Sequence, residues 1–137
     1  MRQHKFRGKK VDTGEWVYGY HFVETKYSKH FILPGYFVEI DDGSGNEIPE
    51  MFEVIPETVG QYIETINGHE IYHHDIVKAY KYGDTETSPF IYDITYRNGT
   101  WWFGNWTWIE FLQIFRCVEV IGNIHDNPEL MEVHHEI

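Results

Sequence analysis

The residues best suited to chemistry are positions 69–73, which have the sequence His-Glu-Ile-Tyr-His. In zinc hydrolases the H-E-x-x-H motif lies on a helix, which places two imidazoles on one face with the glutamate beside them as general base. Here Asn67-Gly68 before the motif indicates a tight turn, and Asp75-Ile76-Val77 after it is typical of a strand. We therefore expect a turn and no metal site, so that His69, His73 and His74 are candidates only for adventitious metal binding.

A second catalytic motif, Asp12-Thr13-Gly14, matches the triplet of aspartic proteases, in which two carboxylates share a proton. The bulky pair Glu15-Trp16 follows where the protease loop needs a small residue, so a hairpin turn is predicted instead. The single cysteine, Cys117, lies among apolar residues and is expected to be a buried, unreactive thiol, which fits a reducing cytosol. There is no positive case for an enzyme, and no cofactor is expected.

Aromatic residues are the other candidates for a functional surface. Four of the five tryptophans lie between positions 101 and 108. Because neighbouring residues of a strand point to opposite faces, Trp101 and Trp102 cannot both lie in the core of a one-sided sheet. One of them is expected to be exposed, at a subunit contact or in a groove. We predict a partner-binding site near Trp16, Tyr18, Trp101 and Trp102.

Composition and charge limit the class of protein. The 137 residues, 42% hydrophobic and 18% aromatic, suffice for one domain with a packed core. The formal net charge of −11 repels a phosphate backbone, so nucleic acid is not an expected partner. Five of the eleven Lys and Arg lie in residues 1–10, a basic start suited to self-association or to a partner's carboxylates. With no apolar run of membrane-spanning length and no leader pattern, we expect a soluble protein away from the membrane.

Turn residues separate short aromatic and β-branched runs, which predicts strands along most of the chain. Residues 15–23 are predicted to form a strand that Gly19 interrupts by a bulge or a close backbone approach. Pro34-Gly35 predicts a hairpin between residues 31–33 and 37–40, followed by an exposed polar loop at 41–46.

The second half of the chain predicts an antiparallel meander and short helices. The meander strands are residues 75–82, 90–97 and 100–103, with Asn98-Gly99 as the last turn. Trp108, Phe111, Leu112 and Phe115 have the spacing of one helix face, residues 118–124 return to strand, and Asn127-Pro128 predicts the start of a C-terminal helix.

These elements predict a mainly β (β-rich α+β) fold in one compact unit. A meander whose edges need protection suggests a small, partly open, SH3-like β-barrel. We predict an N-terminal β extension over residues 1–57, packed on a barrel portion over residues 58–137 that ends in a short helix.

Four sequence blocks, in order, resemble the YopX family of small proteins encoded by phages and prophages. They are residues 5–9 with 13–20 (KFRGK, TGEWVYGY), 55–62 (IPETVGQY), 67–77 (NGHEIYHHDIV) and 119–130 (EVIGNIHDNPEL). In the third block His69 and His73 occupy positions where the family usually has Lys and Glu, and His74 occupies one where it has Gly. The resemblance implies an accessory protein that acts in the cytoplasm of the bacterial host cell and self-associates. It implies no catalytic residue.

Three hypotheses of function follow. The first is a non-enzymatic, self-associating binding module whose further partner is a host or phage protein. The second is an acidic mimic of DNA that inhibits a host enzyme, although the carboxylates show no regular spacing. The third, with the least support, is a metal-dependent hydrolase built on His69-Glu70-x-x-His73.

Overall fold

The computed structural model describes residues 5–83 and 88–131. Strands dominate these residues, which confirms the mainly β class. Contacts divide the chain into two compact units, Met1–Tyr62 and Ile63–Ile137. The predicted division at residue 57 stays a prediction. Within the described ranges, none of the helices has the length and apolar character that crossing a bilayer requires.

The first unit is built on antiparallel pairing of short strands. Its strands are β1 (Phe6–Lys9), β2 (Trp16–Glu24), β3 (Lys29–Leu33), β4 (Phe37–Glu39), β5 (Glu47–Pro49), β6 (Phe52–Val54) and the first residues of β7 (Gly60–Ile66). β1 lies between β2 and the start of β7, and β3 lies between β2 and β6. A 3-10 helix, Pro56–Thr58, leads into β7.

The core of the first unit is a small cluster of β-branched side chains on one face of this sheet. Val17, Ile32 and Val54 are buried there. Gly8 allows the close approach of β6, because a Cβ at this position would lie 3.0 Å from the Val54 side chain. The triplet Asp12-Thr13-Gly14 forms the predicted turn between β1 and β2, with Gly14 at φ 75°.

The hairpin predicted at Pro34-Gly35 is wrong. β3 pairs with β2 and β6, whereas β4 pairs with β5 across the exposed loop of residues 40–46. Both neighbours of β3 contribute to burying Ile32, which is fully inaccessible to solvent. Because β2 and β6 occupy the two edges of β3, no edge of β3 is free to pair with β4.

The second unit contains a five-stranded antiparallel sheet in the order β12-β11-β10-β9-β13. Its elements are the remainder of β7, β8 (His69–Tyr72), β9 (Asp75–Lys81), β10 (Phe90–Arg97), β11 (Thr100–Phe103), β12 (Trp106–Thr107), helix α1 (Trp108–Ile114) and β13 (Phe115–Asn123). The meander β9-β10-β11 is as predicted. The turns at Asn67-Gly68 and Asn98-Gly99 have positive φ at both residues, as a type I′ hairpin turn requires.

The sheets do not close into the predicted barrel. In the second unit, α1 lies between β12 and β13 in the chain, and these two strands form opposite edges of the sheet. In the first unit, β6 meets the end of β1 through the single bridge Lys10–Val54. This bridge joins β6 and β1 at one end only, so it does not close the sheet into a barrel.

Helix α1 begins with a capping box. The Thr107 hydroxyl accepts the Glu110 backbone N–H, and the Glu110 carboxylate accepts the Thr107 backbone N–H. Trp108, Phe111 and Phe115 enter the core as the spacing predicts, but Leu112 is 43% exposed. The buried face of this short helix is therefore narrower than the spacing predicted. At the C-terminal end, residues 129–131 are helical, and the rest of the predicted C-terminal helix lies outside the described residues.

Cys117 is exposed, so the prediction of a buried thiol is wrong. It lies where the register of β13 with β9 shifts between Arg116 and Glu119, and its φ is 55°. A bulge of this kind turns side chains away from the strict alternation of a strand. The Arg116 guanidinium donates to the Cys117 sulfur at 3.3 Å.

Candidate functional site

The H-E-x-x-H residues lie on an extended segment, as the turn and strand signals around them predicted. His69 begins β8 and His73 follows its last residue. At roughly 3.3 Å per residue, their backbones are about 13 Å apart, too far for two ligands of one ion. Within residues 5–83 and 88–131, no group of three or more His, Cys, Asp or Glu side chains is placed to hold a metal ion.

A row of contacting rings surrounds the turn after β8 in the second unit. The His73 and His74 rings stack with centroids 3.8 Å apart. His73 meets the edge of Trp101 at 5.2 Å, and His74 meets His125 at 5.9 Å. His74 Nδ1 lies 3.1 Å from Asp93 Oδ2. The imidazoles of this row thus contact one another and a carboxylate on β10.

His74 has the backbone conformation that glycine adopts most easily, with φ 71°. Its N–H donates to Ile94 O at 2.8 Å, and its carbonyl accepts the Ile124 N–H at 3.1 Å. These two bonds hold the left-handed turn that a glycine would form with less strain. His74 therefore occupies a turn position at which its side chain is strained and its backbone is held by two hydrogen bonds.

Trp101 and Trp102 lie on opposite faces of β11, and both are partly buried. Trp101 packs between His73 and Tyr96, whose ring centroid is 4.8 Å away. The Trp102 indole N–H donates to Arg97 O, and the Arg97 guanidinium covers its ring at 4.3 Å. Each tryptophan thus has contacts within the second unit.

Trp16 and Tyr18 lie together on the first unit. Four aromatic residues occupy alternate positions of β2, so all four project from one side of the sheet. Paired strand β3 adds two apolar residues to the same side through the register Tyr20↔Leu33 and Phe22↔Phe31. We call this surface the aromatic face; its residues are Trp16, Tyr18, Tyr20, Phe22, Phe31 and Leu33.

The aromatic face is exposed along β2. Tyr18, Tyr20 and Phe22 are 42%, 63% and 39% accessible to solvent. Phe22 stacks on Phe31, with centroids 5.2 Å apart and ring planes 17° from parallel. An antiparallel sheet with one buried side usually carries polar residues on the other. Three neighbouring exposed rings are therefore a feature that folding alone does not require.

Cations border the aromatic face at its Trp16 end. Arg7 and Lys9 on β1 are the register partners of Tyr18 and Trp16. The Arg7 guanidinium lies 4.5 Å from the centroid of the Trp16 ring, and Lys9 Nζ lies 5.6 Å from it. Arg7 is buried, with 6% of its surface accessible to solvent, and Lys9 is half-buried, so both cations are held against the Trp16 ring within the first unit.

The opposite side of the same strands carries a histidine pair. His21 Nε2 and His30 Nδ1 are 2.9 Å apart, and the two rings stack. Burial, and secondly the positive charge of His30, lowers the pKa of His21 from its usual 6.5. One imidazole must donate and the other accept, so the bond is lost when both are fully protonated.

This pair predicts that the first unit loses stability as the pH falls. Because the folded-state pKa of His21 is lowered, the unfolded chain takes up the proton first as the pH falls below about 6.5. The free energy of unfolding therefore has its full value above that pH and decreases below it. We expect His21→Gln to reduce the slope between pH 7.5 and pH 5.5 in urea unfolding. His69→Gln, at an exposed histidine of the second unit, should leave the slope unchanged.

Tyr20, Phe22 and Phe31 belong to the aromatic face but were not among the predicted site residues. The signal for the first two was present, since residues 16, 18, 20 and 22 are aromatic at alternate positions. Phe31 had no comparable signal, because its place depends on the pairing of β3 with β2.

The fold and this surface define a small, mainly β protein with an open, aromatic sheet face. The chain belongs to the YopX protein family, whose model matches residues 5–132. No curated protein and no solved structure matches it.

Proposed function

We propose that the chain is a non-enzymatic, self-associating binding module that uses the aromatic face as its contact surface. The proposal includes the setting implied by the family resemblance, an accessory protein of a phage or prophage in the bacterial cytoplasm. One observation carries it: Tyr18, Tyr20 and Phe22 project side by side from one strand and are all exposed.

The energetics favour association through this face. Fully burying a large apolar side chain contributes about 1.5–3 kcal/mol, and tyrosine is enriched in interfaces because its hydroxyl remains able to hydrogen-bond. The rings are mounted on paired strands, so little backbone freedom is lost on binding. Two or three of them buried together would provide a substantial part of a micromolar affinity.

Trp101 and Trp102 remain predicted partner residues with weaker support. Their contacts with His73, Tyr96 and Arg97 give both side chains a role in holding the β10–β11 hairpin. We therefore place the contact surface on Trp16 and Tyr18, extended by Tyr20 and Phe22.

The test is the mass of the full chain in solution, measured by light scattering over a range of concentrations. Tyr20→Ser/Phe22→Ser should abolish the assembly that the wild-type chain forms. The matched control is Tyr82→Ser/Leu112→Ser, whose side chains are 65% and 43% exposed but lie on the second unit. A wild-type chain that stays monomeric, or a face variant that assembles as well as the control, would contradict the proposal.

The two alternative hypotheses predict other results. An acidic mimic of DNA would compete with DNA for a host enzyme, and salt would weaken the competition, whereas an apolar contact persists in high salt. A hydrolase built on His69 and His73 would need both imidazoles on one ion, and an extended β8 keeps them apart.

A further inference from the structure

The aromatic face has no charged residue, which limits the kind of surface that can cover it. Its six residues are aromatic or aliphatic. Next to its β2–β3 turn end the charges are of both signs, because Glu24 pairs with Lys29 and Lys29 Nζ lies 4.0 Å from Glu53 Oε1. At the other end, Arg7 and Lys9 are held against an indole ring. The face itself offers no charge to a partner, so a matching surface is an apolar one.

The exposed rings set the size of the contact. Tyr18, Tyr20 and Phe22 are 42%, 63% and 39% accessible to solvent. Since a whole aromatic side chain has about 150–250 Å² to bury, these three offer roughly 300 Å² on one protomer, and the half-buried members of the face add about 100 Å². A standard interface buries about 800 Å² on each partner. A contact of about 400 Å² on each side is therefore weak and depends on apolar groups on both sides.

The same face of a second copy is the best apolar match that this chain contains. On the strands of the described ranges, β2 alone carries three exposed large apolar side chains on one side. Strands β4, β5 and β10 carry one each, namely Phe37, Ile48 and Tyr96. A tyrosine hydroxyl both donates and accepts a hydrogen bond, so two identical faces also match in their polar groups.

We propose that the aromatic face of one protomer packs on the aromatic face of a second copy across a two-fold axis. The inference rests on the proposed function, because it keeps that contact surface and names what covers it. In a two-fold contact each protomer contributes the same patch, so no further surface is needed to complete the dimer. The small area gives a reversible dimer whose population increases with protein concentration.

The two-fold axis should pass close to Tyr20. This residue is the middle one of the three exposed rings of β2 and the most exposed of them. Sheets that pack face to face lie about 10 Å apart, with their side chains interdigitated. Residue 20 of one protomer therefore lies opposite residue 20 of the other. The separation is too large for a direct disulfide, but a short cross-linker can bridge it.

Cross-linking of a single engineered thiol tests this contact. Tyr20→Cys/Cys117→Ser replaces the only natural cysteine and places one thiol near the proposed axis. At a concentration where light scattering shows this variant to be dimeric, a short bismaleimide should convert most of it to a covalent dimer. The matched control is Tyr82→Cys/Cys117→Ser, because Tyr82 is 65% exposed but lies on the second unit. The control should give at least tenfold less covalent dimer.

Isotope-filtered NMR repeats the test on the unmodified chain, so its result does not depend on how a variant folds or assembles. Chains labelled with carbon-13 are mixed with an equal amount of unlabelled chains, and filtered nuclear Overhauser spectra select the contacts between protomers. We expect cross-peaks between the ring protons of Tyr18, Tyr20 and Phe22 in one protomer and those of the same residues in the other. Dilution to the monomeric concentration should remove them.

The outcomes separate this inference from the proposed function. Cross-peaks that join the aromatic face to a different surface of the second copy would overturn the two-fold contact and leave the proposed function standing. Equal cross-linking at positions 20 and 82, or an assembled sample without cross-peaks between the two faces, would also overturn the two-fold contact. If the protomers meet only through residues outside the aromatic face, or if the chain stays monomeric, the proposed function fails, and this inference fails with it.

Discussion

Phe111→Ala is expected to lower the free energy of unfolding of the second unit by about 4 kcal/mol, within the 3–5 kcal/mol typical of a phenylalanine removed from a core. Phe111 is fully buried and packs against Phe103, Trp108 and Phe115, with centroid distances of 4.6, 5.1 and 5.5 Å. Removing it leaves a cavity among rings that α1, β11 and β13 hold in place. Such a loss is a large part of the 5–15 kcal/mol that stabilises a typical domain.

Urea unfolding followed by tryptophan fluorescence measures this effect, because four of the five tryptophans lie in the second unit. The control is Leu112→Ala on the next residue of the same helix. Leu112 is largely exposed, so its removal should cost less than about 1 kcal/mol. Equal losses at the two positions would contradict the orientation of α1 described here.

Gly19→Ala is expected to destabilise the first unit by about 3 kcal/mol. Gly19 has φ 155°, which side chains rarely adopt, and an added Cβ would lie 2.7 Å from the Leu33 carbonyl carbon and 2.9 Å from Pro34 Cα. Both neighbours are backbone atoms that cannot rotate away. The β2–β3 pairing must therefore shift, adding an overpacking cost of roughly 1–3 kcal/mol to the backbone strain.

Gly14→Ala separates these two contributions. Gly14 also has a positive φ, 75°, but nothing lies within 4 Å of its added Cβ. Its substitution should cost only the strain of the left-handed conformation, about 1–2 kcal/mol. Hydrogen exchange of the β2 and β3 amides reports the stability of this sheet. Identical exchange rates in the two variants would show that the close contact of residue 19 with Leu33 adds nothing to the loss of stability.

The turns and the presence of the helix could be predicted from the sequence because their determinants are local. Asn67-Gly68 and Asn98-Gly99 adopt the positive φ values that these residue pairs favour. Gly19 marks a close backbone approach, and Thr107 with Glu110 begins the helix. Each of these features depends on residues within a few positions of one another.

The partner of β4 and the exposure of Cys117 could not be predicted because they depend on how other strands pair. β4 pairs with β5 because β3 is already occupied on both edges. Cys117 is exposed because of a register shift against β9, and nothing in the apolar residues around it signals that shift. Local composition alone therefore predicts the wrong partner for β4 and a buried side chain for Cys117.

The candidate site could be predicted in part. Trp16 and Tyr18 lie on the aromatic face, as residue type suggested, and Phe31 joins them only through the register of β3. The row of His73, His74 and His125 with Trp101 is formed by separate elements of the second unit, so no sequence window contains it.

Hydroxyl-radical footprinting of the unmodified chain tests whether the aromatic face is the contact surface, because it locates that surface without any substitution. The labelling of each aromatic residue is compared between a concentration at which the protein is assembled and one at which it is monomeric. We expect the strongest protection on Tyr18, Tyr20 and Phe22, with Tyr82 and Tyr96 labelled equally in both samples. Unchanged labelling of β2, or protection confined to the second unit, would contradict it.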